Sequence, residues 1–561
     1  MVRFSRFSLG KNEYRKVCKG KERRPMQLFG IMLFALSLVW VGGFAADNQS
    51  EYGGTLAFPL GYGGTIETLD PIIGSDSTVV TIADALGDGL LRYDLETLEI
   101  EPAIAESWEI GPNYKVYTFH LRHGVQFGKG YGEVTASDFE YTFERVLSFE
   151  NPSRFPHLLL SLEGAKDFYN GKVDHIEGIK ILGKYTLQLT TENPDVIFMT
   201  TIASNRLCVV PKAAVEKWGP AFGSHLVSAG PFELVEWVRG SKVEVKAFDK
   251  YYGGRPYLDN IEFLVMPESA SRDAAFRAGA VDISMLSTAV YTNYKEDPQY
   301  KDLIIEVPEL WTRVLTLNLR EEKWQDVRVR QAANYAIDRE TLNKYFLMDK
   351  AYVATSFLPK SSPGFDPNLK PYEYNLIKAR ELMEAAGYSK DHPFEFTIMA
   401  CSDPAWGIAG GIALKPYLEA AYFKLKTVLV DSSTMWASAA AGDFDTYLNS
   451  AGLAKVSPVD FLSEVFASTE LSGRENSAGY SSSEFDEYIK AARQEPDFEK
   501  RMVLVRKADA LILSDAAMVF WNYSKAAAVH QAWVHGFVAS PQDMIYQPWD
   551  KIWLDPEHSG A

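Results

Sequence analysis

Cysteine is almost absent from this chain of 561 residues, with Cys18, Cys208 and Cys401 the only three. No Cys-x-x-Cys occurs, which leaves no thioredoxin-like redox motif and no zinc ribbon. Histidine is sparse, nine in all. His120-x-x-His123 has the look of half a metal site, but it falls at a strand end with no third ligand suggested, so it reads as a surface pair and no metal is expected. There is no Gly-x-Ser-x-Gly elbow and no Walker loop, and Gly61-Tyr62-Gly63-Gly64 lacks the third glycine of a dinucleotide-binding turn. No internal repeat, heptad run or low-complexity linker interrupts the chain. Basic charge is also short beyond the first 46 residues: 48 Lys and Arg face 72 Asp and Glu there, a balance near −24. That surface argues against nucleic acid and against adhesion to anionic lipid. With so many carboxylates, pairs of them carry no catalytic signal. Nothing points to an enzyme or to a cofactor.

The first 46 residues are of another kind. They hold nine basic residues against Glu13 and Glu22, and an apolar run from Leu28 to Ala46 follows. This is the pattern of a secretory signal with a long basic region, cut near Ala46 or Asp47 after the small residues Gly43 and Ala45. The rival reading is an uncleaved anchor, since about 19 apolar residues just span a bilayer. Met26 as the start would shorten the basic region. Cys18 lies in this leader, far upstream of any lipobox position. Cys208 and Cys401 are nearly two hundred residues apart and read as two buried thiols, although in an exported protein they could pair. What remains is long enough for about three domains.

The most informative stretch runs from Ala105 to Val146. Ser107 to Ile110 reads as a short strand, Gly111-Pro112-Asn113 as a turn, and Tyr117, Phe119 and Leu121 alternate with polar residues as in a half-buried strand. Thr135-Ala136-Ser137-Asp138 has capping-box spacing and opens a helix whose Phe139, Phe143 and Val146 share a face. Further on, a helix is expected from Val79 to Leu91, strands over Phe232 to Val238, Lys242 to Phe248 and Ile261 to Met266, and an amphipathic helix after Asp326 with Val329, Ala332, Ala333, Ala336 and Ile337 on one side. Gly387 is placed to cap the helix of Ala379 to Tyr388.

The identities within these elements form an ordered pattern. Ala-x-Ser-Trp-Glu, Phe-x-Leu-Arg-x-Gly-Val-x-Phe and Thr-Ala-x-Asp-Phe-x-Tyr-x-x-x-Arg follow one another from Ala105 to Arg145. Val210-Pro211-Lys212, Gly230-Pro231-Phe232, Asp249 to Asp259, and Asp326-Val327-Arg328-Val329-Arg330-Gln331-Ala332 with Ala336-Ile337-Asp338-Arg339 continue it. The chain resembles the family 5 extracellular solute-binding proteins, the oligopeptide and dipeptide receptors of ABC importers. The resemblance implies an α/β fold of two lobes, of the large three-domain type, with mixed sheets and a hinge. It places the first lobe in residues 47–82, 205–310 and 522–561, a smaller inserted domain in 83–204 and the second lobe in 311–521. It also implies a periplasmic monomer without catalysis or cofactor, which captures a peptide or other small solute and delivers it to a permease with its ATPases.

By the same resemblance, Ser75 and Asp76 border the cleft from the first lobe, Arg313 lies near the hinge, and Trp436, ahead of Gly442-Asp443-Phe444-Asp445, holds the place of a ligand-facing tryptophan. One departure matters. Where the peptide receptors carry an Arg, a Trp and an Asp that pairs with the peptide ammonium, an ungapped alignment puts Leu448, Ala451 and Ala454. A buried ammonium without a counter-charge is costly. The same loop offers Asn449 and Lys455 instead, the latter suited to an acidic or carbonyl-bearing ligand if it points inward. An opine, an oligosaccharide or a metal chelate is therefore the alternative ligand, and a secreted hydrolase on the same scaffold stands third.

Overall fold

The computed structural model describes residues 52–61, 66–74, 77–149, 153–401, 407–452, 456–468 and 476–558. Three larger sheets organise them. In the first, Thr55–Leu60 runs parallel to Asn260–Val265, and Lys242–Ala247 and Phe232–Val238 continue antiparallel. The second is antiparallel throughout, in the order Ala105–Ile110, Val116–Leu121, Thr186–Thr190, Ile179–Gly183. Its alternation is as the sequence implies: Tyr117 and Phe119 are 0% exposed and Leu121 is 1% exposed, while Thr118 and His120 between them are half-buried. The helix Ala136–Val146 packs its Phe139, Phe143 and Val146 inward, and the capping box is formed, with the Thr135 N–H donating to the Asp138 carboxylate at 2.8 Å.

The third sheet has seven strands, in the order Ile283–Met285, Met518–His530, Ile304–Leu317, Thr446–Gly452, Phe394–Cys401, Phe423–Val430, with Ala351–Val353 also on Met518–His530. Two helices cover its opposite faces beyond the long strands. Gly410 and Gly411 of the helix Gly407–Ala420 lie against Leu448, whereas Met435 and Ala439 of the helix Ser432–Ala441 cluster with Tyr447. Adjacent strand residues point to opposite faces, so the sheet is wound on both sides. The helix after Asp326 spans Val327–Ala336, with the Asp326 carboxylate accepting from Arg328 N at 2.9 Å and Val329, Ala332, Ala333 and Ala336 buried.

One expected boundary moves. The helix drawn from Val79 to Leu91 runs Ser77–Leu86, and Leu91–Tyr93 is a strand paired with Ile100–Pro102. The chain breaks at Gly87, where a Cβ would stand 2.6 Å from Ser228 Oγ and 2.9 Å from Cys208 Cβ. Only glycine lets that turn pass so close to a segment far along the chain. Cys208 and Cys401 are both buried and free.

Candidate functional site

The site is built where two long strands cross. Ile304–Leu317 and Met518–His530 pair antiparallel, but not evenly. Pro308 faces Lys525 and the next pair is Thr312 with Tyr523, so Glu309, Leu310 and Trp311 stand opposite Ser524 alone. A second irregularity follows, because Arg313 pairs with Asn522 while Val314 pairs with Phe520, leaving Trp521 extra. Two bulges in succession remove ladder hydrogen bonds and bend both strands at one level. On one side of that level Met518–His530 pairs with Ile283–Met285, and on the other Ile304–Leu317 pairs with Thr446–Gly452. The crossing is the natural place for a hinge.

The displaced residues of the first bulge dock on the C-terminal segment. Leu310 N donates to Pro541 O at 2.7 Å, and Trp311 Nε1 to Gln542 O at 3.2 Å. The Trp311 ring lies flat over Gly452, where a Cβ would come within 1.9 Å of it, so glycine is required at that pair. Glu309 lies within the fields of Lys350 and Arg313. Lys350 Nζ donates to Lys525 O at 3.1 Å. Burial pushes the Lys350 ammonium down to about 8, with Glu309 pulling the other way. Burial, and then the charge of Glu309, push the Asp543 carboxyl up to about 8. Burial raises Glu309 as well. Trp311, Arg313, Glu309, Lys350 and Asp543 are all half-buried.

Next to Arg313 in the ladder, two polar atoms are buried without a hydrogen-bond partner among the described residues, Trp521 Nε1 and Asn522 Nδ2, and Asn449 Oδ1 is a third on the opposite face of the sheet. Trp521 and Asn522 are only 5% and 2% exposed. An unmet buried donor costs about 1–3 kcal/mol, so Trp521 and Asn522 are able to receive a further acceptor group. From Asp543 the polar lining continues through Tyr546 and Asn205 to Asp84, whose carboxyl burial and the neighbouring Asp88 push up to about 7. Arg206, next to Asn205, stacks on Phe155 at 4.2 Å and holds the carbonyls of Pro71, at 2.9 Å, and Gly74. Arg145 grips the Asp70 carboxylate with two nitrogens. The Leu69-Asp70-Pro71 segment is thereby fixed from two sides.

Of the residues singled out from the sequence, Ser75, Asp76 and Lys455 lie outside the described residues. Arg313 sits in the crossing. Asn449 pairs with Val314 and Arg313 with Ser450, so Arg313 and Asn449 are neighbours in the ladder but point to opposite faces. Trp436, 46% exposed, packs edge-on against Tyr447 at 6.4 Å, on the face that Asn449 shares. Leu448 and Ala451, aligned with two of the peptide-anchor positions, are buried in the sheet, and Ala454 lies outside the described residues. The sequence reading missed Glu309, Trp311, Lys350, Trp521, Asn522 and Asp543. A signal was present for two of them, since Trp521-Asn522 brings polar atoms into a strand that is otherwise continuous with the core. A groove of about 560 Å³ lies elsewhere, between the helix Gly407–Ala420 and the strand Phe423–Val430, and is lined by Ile412, Lys415, Pro416 and Lys426. It offers no convergent buried polar groups, and we place the site at the crossing.

The family model for bacterial extracellular solute-binding proteins, family 5 (middle region), matches residues 99–473. The chain belongs to this family. It is 24% identical over 537 residues to the dipeptide-binding protein of Escherichia coli (strain K12), covering 92% of this chain and 98% of that one. It is 28% identical over 493 residues, 85% of this chain and 90% of the relative, to the probable deoxycholate-binding periplasmic protein of the same organism. Among solved structures, the DppA periplasmic binding protein from Helicobacter pylori, determined with the peptide STSA, superposes with a TM-score of 0.80 at 24% identity, over 90% of this chain and 99% of that one. The fold is thus the two-lobed α/β architecture of the family.

Proposed function

We propose that the chain is the periplasmic substrate-binding component of an ABC importer, which captures a peptide or peptide-like solute between two closing lobes and delivers the closed form to a membrane permease and its ATPases. In this reading residues 47–82, 205–310 and 522–561 form the first lobe, 83–204 its smaller inserted domain and 311–521 the second lobe. The leader directs export and is removed; among the described residues no helix is long and apolar enough to cross a membrane. The protein acts as a monomeric receptor and releases its solute unchanged.

The observation that carries this reading is the polar lining at the crossing strands. Arg313, Lys350 and the unmet donors of Trp521 and Asn522 surround one level of the hinge, where closure desolvates whatever is held. Arg313 and Lys350 suit a carboxylate, and the Trp311 ring supplies an apolar wall. Ser75 and Asp76 act from the first lobe, and Trp436, Asn449 and Lys455 from the second. A ligand closes the lobes only by binding the closed state better than the open one, so residues of both lobes must contribute.

A second reading has an observation of its own. The ungapped alignment puts Ala454 where peptide receptors carry the Asp that pairs with the peptide ammonium, and Leu448 and Ala451, at the neighbouring anchor positions, are buried apolar residues, which favours a solute without a free ammonium, such as an opine. A thermal-shift screen of the leaderless protein separates the two. At about a hundred times its dissociation constant a ligand adds about 2.7 kcal/mol to native stability. Stabilisation by free peptides but not by N-blocked ones supports the peptide reading. Stabilisation by acidic non-peptides alone supports the second. A compound returned altered would mean a hydrolase.

A further inference from the structure

Away from the hinge, a second contact joins segments that the domain scheme assigns to different lobes. Arg493, on the helix Ser483–Gln494, reaches two carboxylates. Its Nη2 donates to Asp460 Oδ1 at 2.6 Å and to Ser463 Oγ at 3.0 Å, both on the helix Pro458–Phe466. Its Nη1 donates to Asp195 Oδ2 at 3.3 Å. Asp195 belongs to the inserted domain, where its own backbone carbonyl accepts from the Tyr117 hydroxyl of the second sheet. The backbone joins in, with Val196 N donating to the Arg493 carbonyl at 3.0 Å. Thr200 Oγ1 lies 3.4 Å from Asp460 Oδ2. The Tyr93 hydroxyl donates to Thr200 O at 2.6 Å. Side chains at the centre are little exposed, 20% for Arg493, 10% for Asp195 and 1% for Asp460.

Two properties set this contact apart from ordinary surface ion pairs. Asp460 is buried with Arg493 as its counter-charge whatever the lobes do, because the two sit on packed helices of the same lobe. The guanidinium is therefore presented in a fixed orientation, with its second nitrogen free to reach across. Moreover, a main-chain bond, Val196 N to Arg493 O, forms only when the inserted domain and these helices meet. Charge and backbone close together.

We propose that Arg493 is a positioning residue for solute capture: it clasps Asp195 and the Val196 amide across the cleft and holds a fraction of the solute-free protein closed. The inference rests on the reading that the lobes close on a solute, but it does not depend on which solute. The clasp raises the population competent to bind, and apparent affinity falls in proportion when that population falls. Nothing in the clasp touches the crossing strands, so it changes affinity without changing selectivity.

The test uses the full leaderless chain without any solute. Hydrogen exchange is followed at the Val196 amide, and small-angle scattering reports the separation of the lobes. Asp195→Asn removes the charge that crosses and retains an oxygen for the Ile197 N–H that Asp195 now caps at 3.2 Å. We expect Val196 exchange to rise at least ten-fold and the radius of gyration to increase, while amides of the second sheet, such as Leu187 and Leu189, keep their rates. Arg493→Lys retains the charge and should restore part of the protection that Arg493→Ala loses. If Arg493→Ala fails to fold because Asp460 is left buried alone, Asp195→Asn still decides. Free exchange of Val196 in the parent protein, or rates and scattering unchanged in Asp195→Asn, overturns the clasp and leaves the solute screen untouched. A failed screen with a protected Val196 overturns the receptor reading and leaves the clasp.

Discussion

Asp509 offers a direct test of how burial sets the pH dependence of this fold. It lies on the helix Phe498–Ser514 and is 0% exposed. Its Oδ1 accepts from Phe357 N at 3.1 Å and from Leu358 N at 3.3 Å. The Phe357 carbonyl in turn accepts from the Thr312 hydroxyl of the bulged strand at 2.7 Å, so this carboxyl helps hold that strand in place. Burial pushes it from 3.8 up to about 7 despite these hydrogen bonds. A group whose folded pKa exceeds its unfolded one contributes stability that is complete below the unfolded value and is lost as pH rises through the folded value. At 1.36 kcal/mol per pH unit, and allowing for curvature near pH 7, the loss between pH 5 and pH 8 is about 3 kcal/mol. Asp509→Asn retains an oxygen for the two N–H groups and cannot ionise. Urea unfolding midpoints of parent and variant at pH 5, 6, 7 and 8 should diverge by about that amount in favour of the variant toward pH 8. Asp84, at about 7, and Asp543, at about 8, add slopes of the same sign, but they are present in both proteins and cancel in the difference. Parallel curves for the two proteins would refute the reasoning.

Other consequences are open to simpler assays. Gly452→Ala drives a methyl into the Trp311 ring and should cost about 1–3 kcal/mol, read as a lower melting temperature together with a changed tryptophan emission. Arg313→Ala should weaken binding of an anionic solute found by the screen at least ten-fold, about 1.4 kcal/mol by calorimetry, with Arg313→Lys intermediate. Lys350, methylated with carbon-13 and observed by NMR, should titrate near 8, and an anionic solute bound beside it should move that titration upward. Burial pushes the Cys208 thiol up to about 12, so it should resist a thiol reagent at pH 8 until the protein is unfolded.

What could be read in advance was local. The alternation of Tyr117, Phe119 and Leu121, the caps at Asp138 and Asp326, and Gly387 with φ +93° after the helix Leu376–Ala385 are each decided within a few residues, and sequence order suffices to see them. The helix end at Leu86 was not legible, because the close approach that breaks it is to Cys208 and Ser228, more than a hundred residues on. The same limit governs the site. Arg313 could be placed near the hinge by resemblance, yet its opposite facing to Asn449 follows from register, which only the pairing with Ser450 fixes. Glu309, Lys350 and Asp543 come from three distant segments, and their charges act on one another beside the bulge. Taken singly, each is one more charge among 48 basic and 72 acidic residues. Only their joint desolvation at the level where the two strands bend marks them as a candidate site, because in the proposed receptor a charge held there would contribute differently in the open and closed states. That difference in free energy is what a solute must exploit to close the lobes.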